Sequence, residues 1–343
     1  MLIREKKQKG FPVTSKYNKK SPLLDRRQFI KKSSVVCGGA LGAGAWGYLF
    51  YSKEPVRKIK SKIYSFKDYR VPVSNVYAKM TVARGTDLEK MLRASVEKLG
   101  GITKFIQPGD KVLIKPNVGW DRQPEQAANT NPELVSVIVK LCREAKASQI
   151  GVTDVSINDP YRCFARSGIE NAAVKAGGKI LFTGDNDFVL TDMKGELLKV
   201  WPVSKFYHQF DKVINVPIVK NHSLSKCTLA MKNWYGVLGG QRNQLHQDIN
   251  NSIADLARAV RPTLTIMDAT RVLKKNGPTG GNLSDVSMEN TIVAGLDEVA
   301  IDSYCLQFLD LKIDDVPYIK IAEQRGLGTS DWNSIKVEEI NLV

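Results

Sequence analysis

The sequence predicts an α/β fold, a largely parallel or mixed sheet covered by helices, behind an N-terminal basic and hydrophobic signal segment. Three observations predict it. From about Val73, short apolar runs bounded by turn residues alternate with segments whose apolar residues recur at helical spacing, the order that builds a helix-covered sheet. The 343-residue chain is 43% hydrophobic, enough for a large core and against disorder over most of its length. Third, the net charge of +16 is unevenly placed. Residues 1–62 carry 16 Lys/Arg against Glu5, Asp25 and Glu54, while the remaining 281 residues hold 35 basic and 32 acidic groups. The folded part is therefore nearly neutral, and nucleic acid is not an expected partner, since such binders carry their basic excess on the fold.

The expected organisation is a basic, disordered stretch over 1–32, a hydrophobic signal or anchor helix over 33–51, a linker over 52–72, the α/β domain over 73–312, and a C-terminal helix and strand over 313–343 completing the fold. In the first stretch Arg26-Arg27-Gln28-Phe29 precedes Lys31-Lys32 and an uncharged run from Ser33 to Tyr51. Five glycines between Gly38 and Gly47 keep that run only mildly apolar. Paired arginines, a following Phe and a weakly hydrophobic helix resemble a twin-arginine export signal, with Arg26 and Arg27 as its signature. The resemblance implies a twin-arginine translocase as partner and a periplasmic or other extracytoplasmic location beyond the bacterial inner membrane. Ala43-Gly44-Ala45 fits a small-x-small cleavage site, yet cutting there exposes Trp46 to Tyr51. Removal and retention as a membrane anchor through 33–51 both stay open.

Within the domain, Thr86-Asp87-Leu88-Glu89 reads as a capping box opening a helix with Leu88, Met91, Leu92, Val96 and Leu99 on one face, closed by Gly100-Gly101. Pro108-Gly109-Asp110 turns into a strand at Lys111–Ile114. Asn131 caps a helix with Pro132 at its first position. A strand at Ile150–Thr153, a helical stretch from Tyr161 to Gly177-Gly178 and a strand at Lys179–Phe182 follow. Phe188–Thr191 and Leu197–Trp201 form a hairpin, and Lys212–Val216 is a buried strand. Helices are expected over Ser225–Tyr235 and Ile249–Val260, strands over Thr263–Met267 and Thr291–Ala294, and a helix capped by Asp297 through Leu309. Cys37, Cys142, Cys163, Cys227 and Cys305 are too far apart for a C-x-x-C motif, so no ferredoxin-type cluster is written in this chain.

Ligands of such sheets bind beyond the carboxyl ends of strands, so the residues following each strand are the candidates. Lys115 at one strand end can hold an anionic substrate, with Asn117 beside it and Asn131 opening a helix whose amides favour anions. The densest stretch runs from Lys220-Asn221-His222 through Met231-Lys232-Asn233 to His246, and holds two of the three histidines. Imidazoles exchange protons near neutral pH, and a lysine among apolar residues loses basicity. His222, Lys232 and Lys115 are therefore read as catalytic and Asn117, Asn131 and Asn233 as binding residues. His246 and Asp268, which ends another strand, are read as metal ligands. The cofactor is left open between a metal ion and an organic group held on Lys232.

The ordered set Lys115-Pro116-Asn117, Thr130-Asn131-Pro132, Val213–Pro217, Lys220-Asn221-His222, Leu229–Asn233, Gly236, Asp268, Gly277-Pro278-Thr279-Gly280 and Ala294–Asp302 resembles the family called domain of unknown function 362, over roughly residues 73–312. It adds Thr130 and Gly280 to the binding candidates. Relatives often carry iron–sulfur clusters, which this chain lacks. A weaker likeness is to the nickel-pincer lactate racemases, where a histidine stands ten positions before the lysine carrying the cofactor, as His222 does before Lys232, and a further histidine binds nickel. Here His246 follows Lys232 by 14, Lys115-Pro116 replaces an Arg-Pro, and the second acid/base histidine has no counterpart. The expectation is an exported protein doing acid/base or metal-assisted chemistry on a small anionic substrate. The alternative is a non-catalytic accessory module for periplasmic redox enzymes.

Overall fold

The computed structural model describes residues 62–72 and 75–342. The basic stretch, Arg26, Arg27 and the apolar run 33–51 lie outside the described residues. The strands are β1 (Tyr64–Ser65), β2 (Met80–Gly85), β3 (Lys111–Pro116), β4 (Gln149–Val152), β5 (Lys179–Ile180), β6 (Phe188–Asp192), β7 (Val200–Ser204), β8 (Lys212–Val216), β9 (Ile218–His222), β10 (Lys226–Thr228), β11 (Leu264–Leu273), β12 (Val286–Gly295) and β13 (Val337–Leu342). The helices are α1 (Leu88–Lys98), α2 (Ile102–Phe105), α3 (Pro132–Glu144), α4 (Pro160–Arg166), α5 (Ile169–Ala176), α6 (Ala230–Asn233), α7 (Ile249–Ala259), α8 (Glu298–Cys305) and α9 (Pro317–Gln324).

The main sheet runs β13-β2-β12-β11-β8-β3-β4-β5. From β11 to β5 the neighbours are parallel; β12 is antiparallel to both β11 and β2, and β13 returns parallel to β2. The sheet is thus mixed, parallel where apolar runs are continuous. Those runs are buried on both faces. Val112, Ile114, Ile214 and Ile266 face a core shared with α1, α3, α4 and α5, while Leu113, Val213 and Met267 face a second core shared with α7, α8 and α9. A small sheet, β1-β6-β7, lies apart from the main one. Among the described residues no helix is long and apolar enough to cross a membrane.

Several local readings shift. Asp87, not Thr86, is the cap of α1, its carboxylate accepting the Lys90 N–H. The stretch after Tyr161 breaks at Gly168, whose φ of 74° separates α4 from α5. Part of the expected linker belongs to the fold, since Tyr64 pairs with Thr191 and Tyr69 is buried. The largest difference is at 218–235, expected to be helical from Ser225. Ile218–His222 form β9, buried at four of its five positions, and β9 pairs back onto β10 with His222 opposite Lys226. Only Ala230–Asn233 is α-helical, followed by a tight turn of helix over Trp234–Val237. The four cysteines beyond residue 62 are buried thiols without disulfides.

Candidate functional site

The site grows from the carboxyl ends of β3, β4 and β8, where the parallel strands stop together. Lys115, near the end of β3, is 0% exposed, and a buried ammonium demands partners for its protons. Its Nζ donates to Asp154 Oδ1 at 2.7 Å, Asn233 Oδ1 at 3.1 Å and the Pro116 carbonyl at 2.9 Å. Asp154 follows β4, and its other oxygen accepts the Val118 N–H at 2.6 Å. A Cβ on Gly236 would overlap both the Asp154 carboxylate and the Lys115 amine, so the pair needs a residue without a side chain there. Burial pulls the Lys115 amine down, against the opposing pull of Asp154.

A second ring of bonds holds Asn233 and α6. Asn233 Nδ2 donates to Asn215 Oδ1 at 2.8 Å, and Asn215 Nδ2 donates to Glu298 Oε1 at 2.6 Å. Glu298 also accepts from Thr265 Oγ1 at 3.1 Å and Trp234 Nε1 at 3.0 Å. The Asp302 carboxylate accepts the Ala230 and Met231 N–H groups at 2.6 and 3.1 Å, satisfying the free amides at the start of α6. Burial pushes both Glu298 and Asp302 up from the usual carboxylate range.

Against this network lies a cavity of about 420 Å³, bordered by Lys115, Lys220, His222, Lys232, Arg242 and His246 among others. Lys220 Nζ donates to Asn117 Oδ1 at 2.9 Å and the Ala128 carbonyl at 2.6 Å, leaving one proton of three. Arg242 bonds only carbonyls, those of Val155 and Ser156 at 2.8 Å and Tyr235 at 3.1 Å. Lys232 is 6% exposed; its amine stands 4.4 Å from the centre of the Tyr235 ring and meets no hydrogen-bond acceptor among the described residues. Burial brings Lys220 to about 7, with the Lys232 charge adding to the effect, and brings Lys232 to about 8.

The two histidines stack at 6.4 Å between ring centres and are set in opposite senses. His222 Nδ1 accepts the Leu224 and Ser225 N–H groups, which puts its proton on Nε2. His246 Nδ1 faces the Asn243 carbonyl at 3.0 Å, which puts its proton on Nδ1 and the lone pair on Nε2. Burial, reinforced by the Lys232 and Lys220 charges, holds His222 down to about 2; burial also lowers His246. Both rings are neutral at ordinary pH. One offers a donor and the other an acceptor.

The structure thus brings Lys115, Asn117, His222, Lys232, Asn233 and His246 to one cavity, and separates the others. Lys115, expected to be catalytic, has no proton left for a ligand and instead fixes Asp154 and Asn233. Asp268, expected on a metal with His246, is 0% exposed and fully used: its oxygens accept the Asn131 N–H at 2.7 Å, the Thr270 N–H at 3.0 Å and the Thr270 hydroxyl at 2.7 Å. Asn131 caps α3 through the Glu133 N–H, and Thr130 links the Asn117 N–H to the Val216 carbonyl. Gly280 turns its loop at φ 56° and borders Leu273; it is Pro278 of that loop that reaches the cavity. Among the described residues no three His, Cys, Asp or Glu side chains gather to hold a metal. The Lys232 amine suits covalent attachment of an organic group, but the side chains around it do not by themselves form a metal site.

The sequence assigns no site role to Lys220, Asp154, Arg242 or Glu298, although Lys220 heads the densest candidate stretch. Two had a readable signal. Asp154 stands two residues beyond a parallel strand, and Lys220 shares the face of His222 two positions on in the same strand.

A family model described as a domain of unknown function (DUF362) matches residues 112–307. A thylakoid-associated protein of Synechocystis sp. is 28% identical over 251 residues, 69% of this chain and 74% of that protein. Among solved structures, the lactate racemase apoprotein of Thermoanaerobacterium thermosaccharolyticum aligns at a TM-score of 0.39 and 9% identity, over 75% of this chain and 62% of that one. A Thermotoga maritima protein aligns at a TM-score of 0.36 and 11% identity, over 76% of this chain and 61% of that one. The chain therefore spans less than two thirds of either solved structure.

Proposed function

This chain belongs to the domain of unknown function 362 family, and on that footing we propose that it holds a small anionic ligand in the cavity and moves protons on it. One observation carries the reading: the cavity is lined by more cations than its carboxylates can balance. Among the described residues Asp154 is the one acidic residue on its wall and is committed to Lys115, while Lys220 and Arg242 face neutral oxygens and Lys232 faces the Tyr235 ring. Uncompensated charge on buried amines such as Lys220 and Lys232 is costly, and an anion removes that cost. The spare proton of Lys220 and the amine of Lys232 bind it, the Nε2–H of His222 donates, and the Nε2 lone pair of His246 accepts.

Calorimetric titration of the full-length protein with small mono- and dicarboxylates and inorganic phosphate tests this. Saturable binding of one class, weakened at least tenfold in Lys220→Gln, is expected. An absence of binding across the panel overturns it.

The proposal includes export through the twin-arginine translocase, which rests on Arg26-Arg27 and the mild apolar run behind them. Replacing both arginines by lysine is expected to hold the protein in the cytoplasm; unchanged fractionation of that variant would sink the export reading.

A further inference from the structure

We infer that Lys232 is a covalent site, whose amine condenses with the carbonyl carbon of a small anion that also carries a carboxylate, such as a 2-oxo acid. This deepens the anion reading and rests on it.

Three lysines reach one cavity, and their hydrogen bonding separates them. Lys115 spends all its protons and is paired with Asp154 at 2.7 Å, which ties down its charge. Lys220 spends two protons on oxygens. Lys232 alone meets no acceptor, yet its stem is buried and its amine lies beside the Tyr235 ring at the cavity wall. Its backbone is held at both ends of a short helix, by Asp302 on the Ala230 and Met231 amides and by the Asn233 network behind. An amine fixed in place at the cavity wall, without a counter-ion or hydrogen-bond acceptor among the described residues, keeps its lone pair available. The nearby cations supply the grip on the carboxylate, so the carbonyl next to it is delivered to the amine. With its basicity lowered to about 8, Lys232 is about one-tenth neutral at pH 7, on the order of 100-fold more than an ordinary lysine.

The step balances without an oxidant or reductant. The nitrogen lone pair attacks the carbonyl carbon, a C–N bond forms, and the C=O π pair moves to oxygen, which is held by a hydrogen bond from His222 Nε2–H. His246 Nε2 takes one proton from the nitrogen and passes it to that oxygen, giving the neutral carbinolamine. A proton that His246 takes from solvent then goes to the hydroxyl, which leaves as water while the nitrogen pair forms the C=N bond. The iminium returns a proton through His246 to solvent, and the imine remains on Lys232 with both rings neutral.

Reductive trapping tests it. Full-length protein is incubated with pyruvate or glyoxylate and cyanoborohydride from pH 6 to 9, and the adduct is counted by intact mass and located by peptide mapping. One adduct on Lys232 is expected, forming on the order of 100-fold faster than on surface lysines, and lost in Lys232→Arg. The thermal melt of that variant checks that its fold is kept. Lys220→Gln should slow trapping at low anion concentration without moving the site. Adducts scattered over surface lysines, or calorimetric binding of the same anions without trapping, overturn the imine while leaving the anion reading intact. Trapping of acetaldehyde on Lys232 as fast as of pyruvate keeps the nucleophile and overturns the anion reading.

Discussion

The two walls of the cavity are built on opposite plans. On the wall of β3 and β4, every polar atom of Lys115 and Asp154 is spent inside the protein, and Asn233, Asn215 and Glu298 continue the bonding into the sheet. Among the other lining residues, Lys232 has no acceptor among the described residues, Lys220 keeps a spare proton, and two neutral histidines each leave a ring nitrogen unspent. A saturated wall is rigid and chemically silent. A wall left incomplete binds and reacts. Sequence alone does not distinguish them, because both are made of lysines and asparagines at strand ends.

The comparison can be broken first at the silent wall. Asp154→Asn strands the Lys115 ammonium in a dry site, and a loss of about 3–5 kcal/mol in urea unfolding is expected, the cost typical of breaking a buried pair. A loss near zero would mean the wall is less dry than its burial indicates.

At the reactive wall the outcome should be reversed. Lys232→Met keeps the buried stem and removes the charge, so stability should change by no more than about 1 kcal/mol, while anion affinity falls at least tenfold. The linkage has a definite sign. Lys220 and Lys232 titrate near 7 and 8 in the folded protein, below the ordinary value, so their burial penalty is full below those values. It is relieved as pH rises toward about 10.5, where the unfolded chain also loses its protons. An anion reverses the shift by stabilising the charged amines. Proton uptake on binding between pH 7 and 8, and affinity declining above pH 8, are therefore expected from calorimetry in buffers of different ionisation heat. Proton release would contradict the assignment.

The smallest effect is expected away from both walls. Gly280→Ala places a side chain at a φ of 56°, which costs about 1–2 kcal/mol of stability, with anion affinity unchanged within twofold. A larger change in affinity would return Gly280 to the site.

Much of the fold was legible, because continuous apolar runs such as Lys111–Ile114 and caps such as Asn131 and Asp297 carry local signals. The convergence of His222, Lys232 and His246 was legible from the strand-end rule. Their surroundings were not. The helix expected over Ser225–Tyr235 gives way at its start to β10, whose pairing with β9, His222 opposite Lys226, is a contact between segments. Asp268 shared every sequence attribute of a metal ligand, but the Asn131 and Thr270 groups that occupy its oxygens come from a distant helix cap and from two positions along its own strand. Saturation is a property of contacts, and only coordinates display it.

Gly236 has a consequence for how this scaffold diversifies. With no room for even a methyl against the Lys115–Asp154 pair, single substitutions cannot remodel that side of the pocket without dismantling it. Drift in ligand choice among descendants of such a chain is expected at the hairpin tip at 222–226 and the segment 242–248, where Leu224 and Asn243 are exposed. Relatives with different ligands should then differ at that rim while their floors stay superimposable.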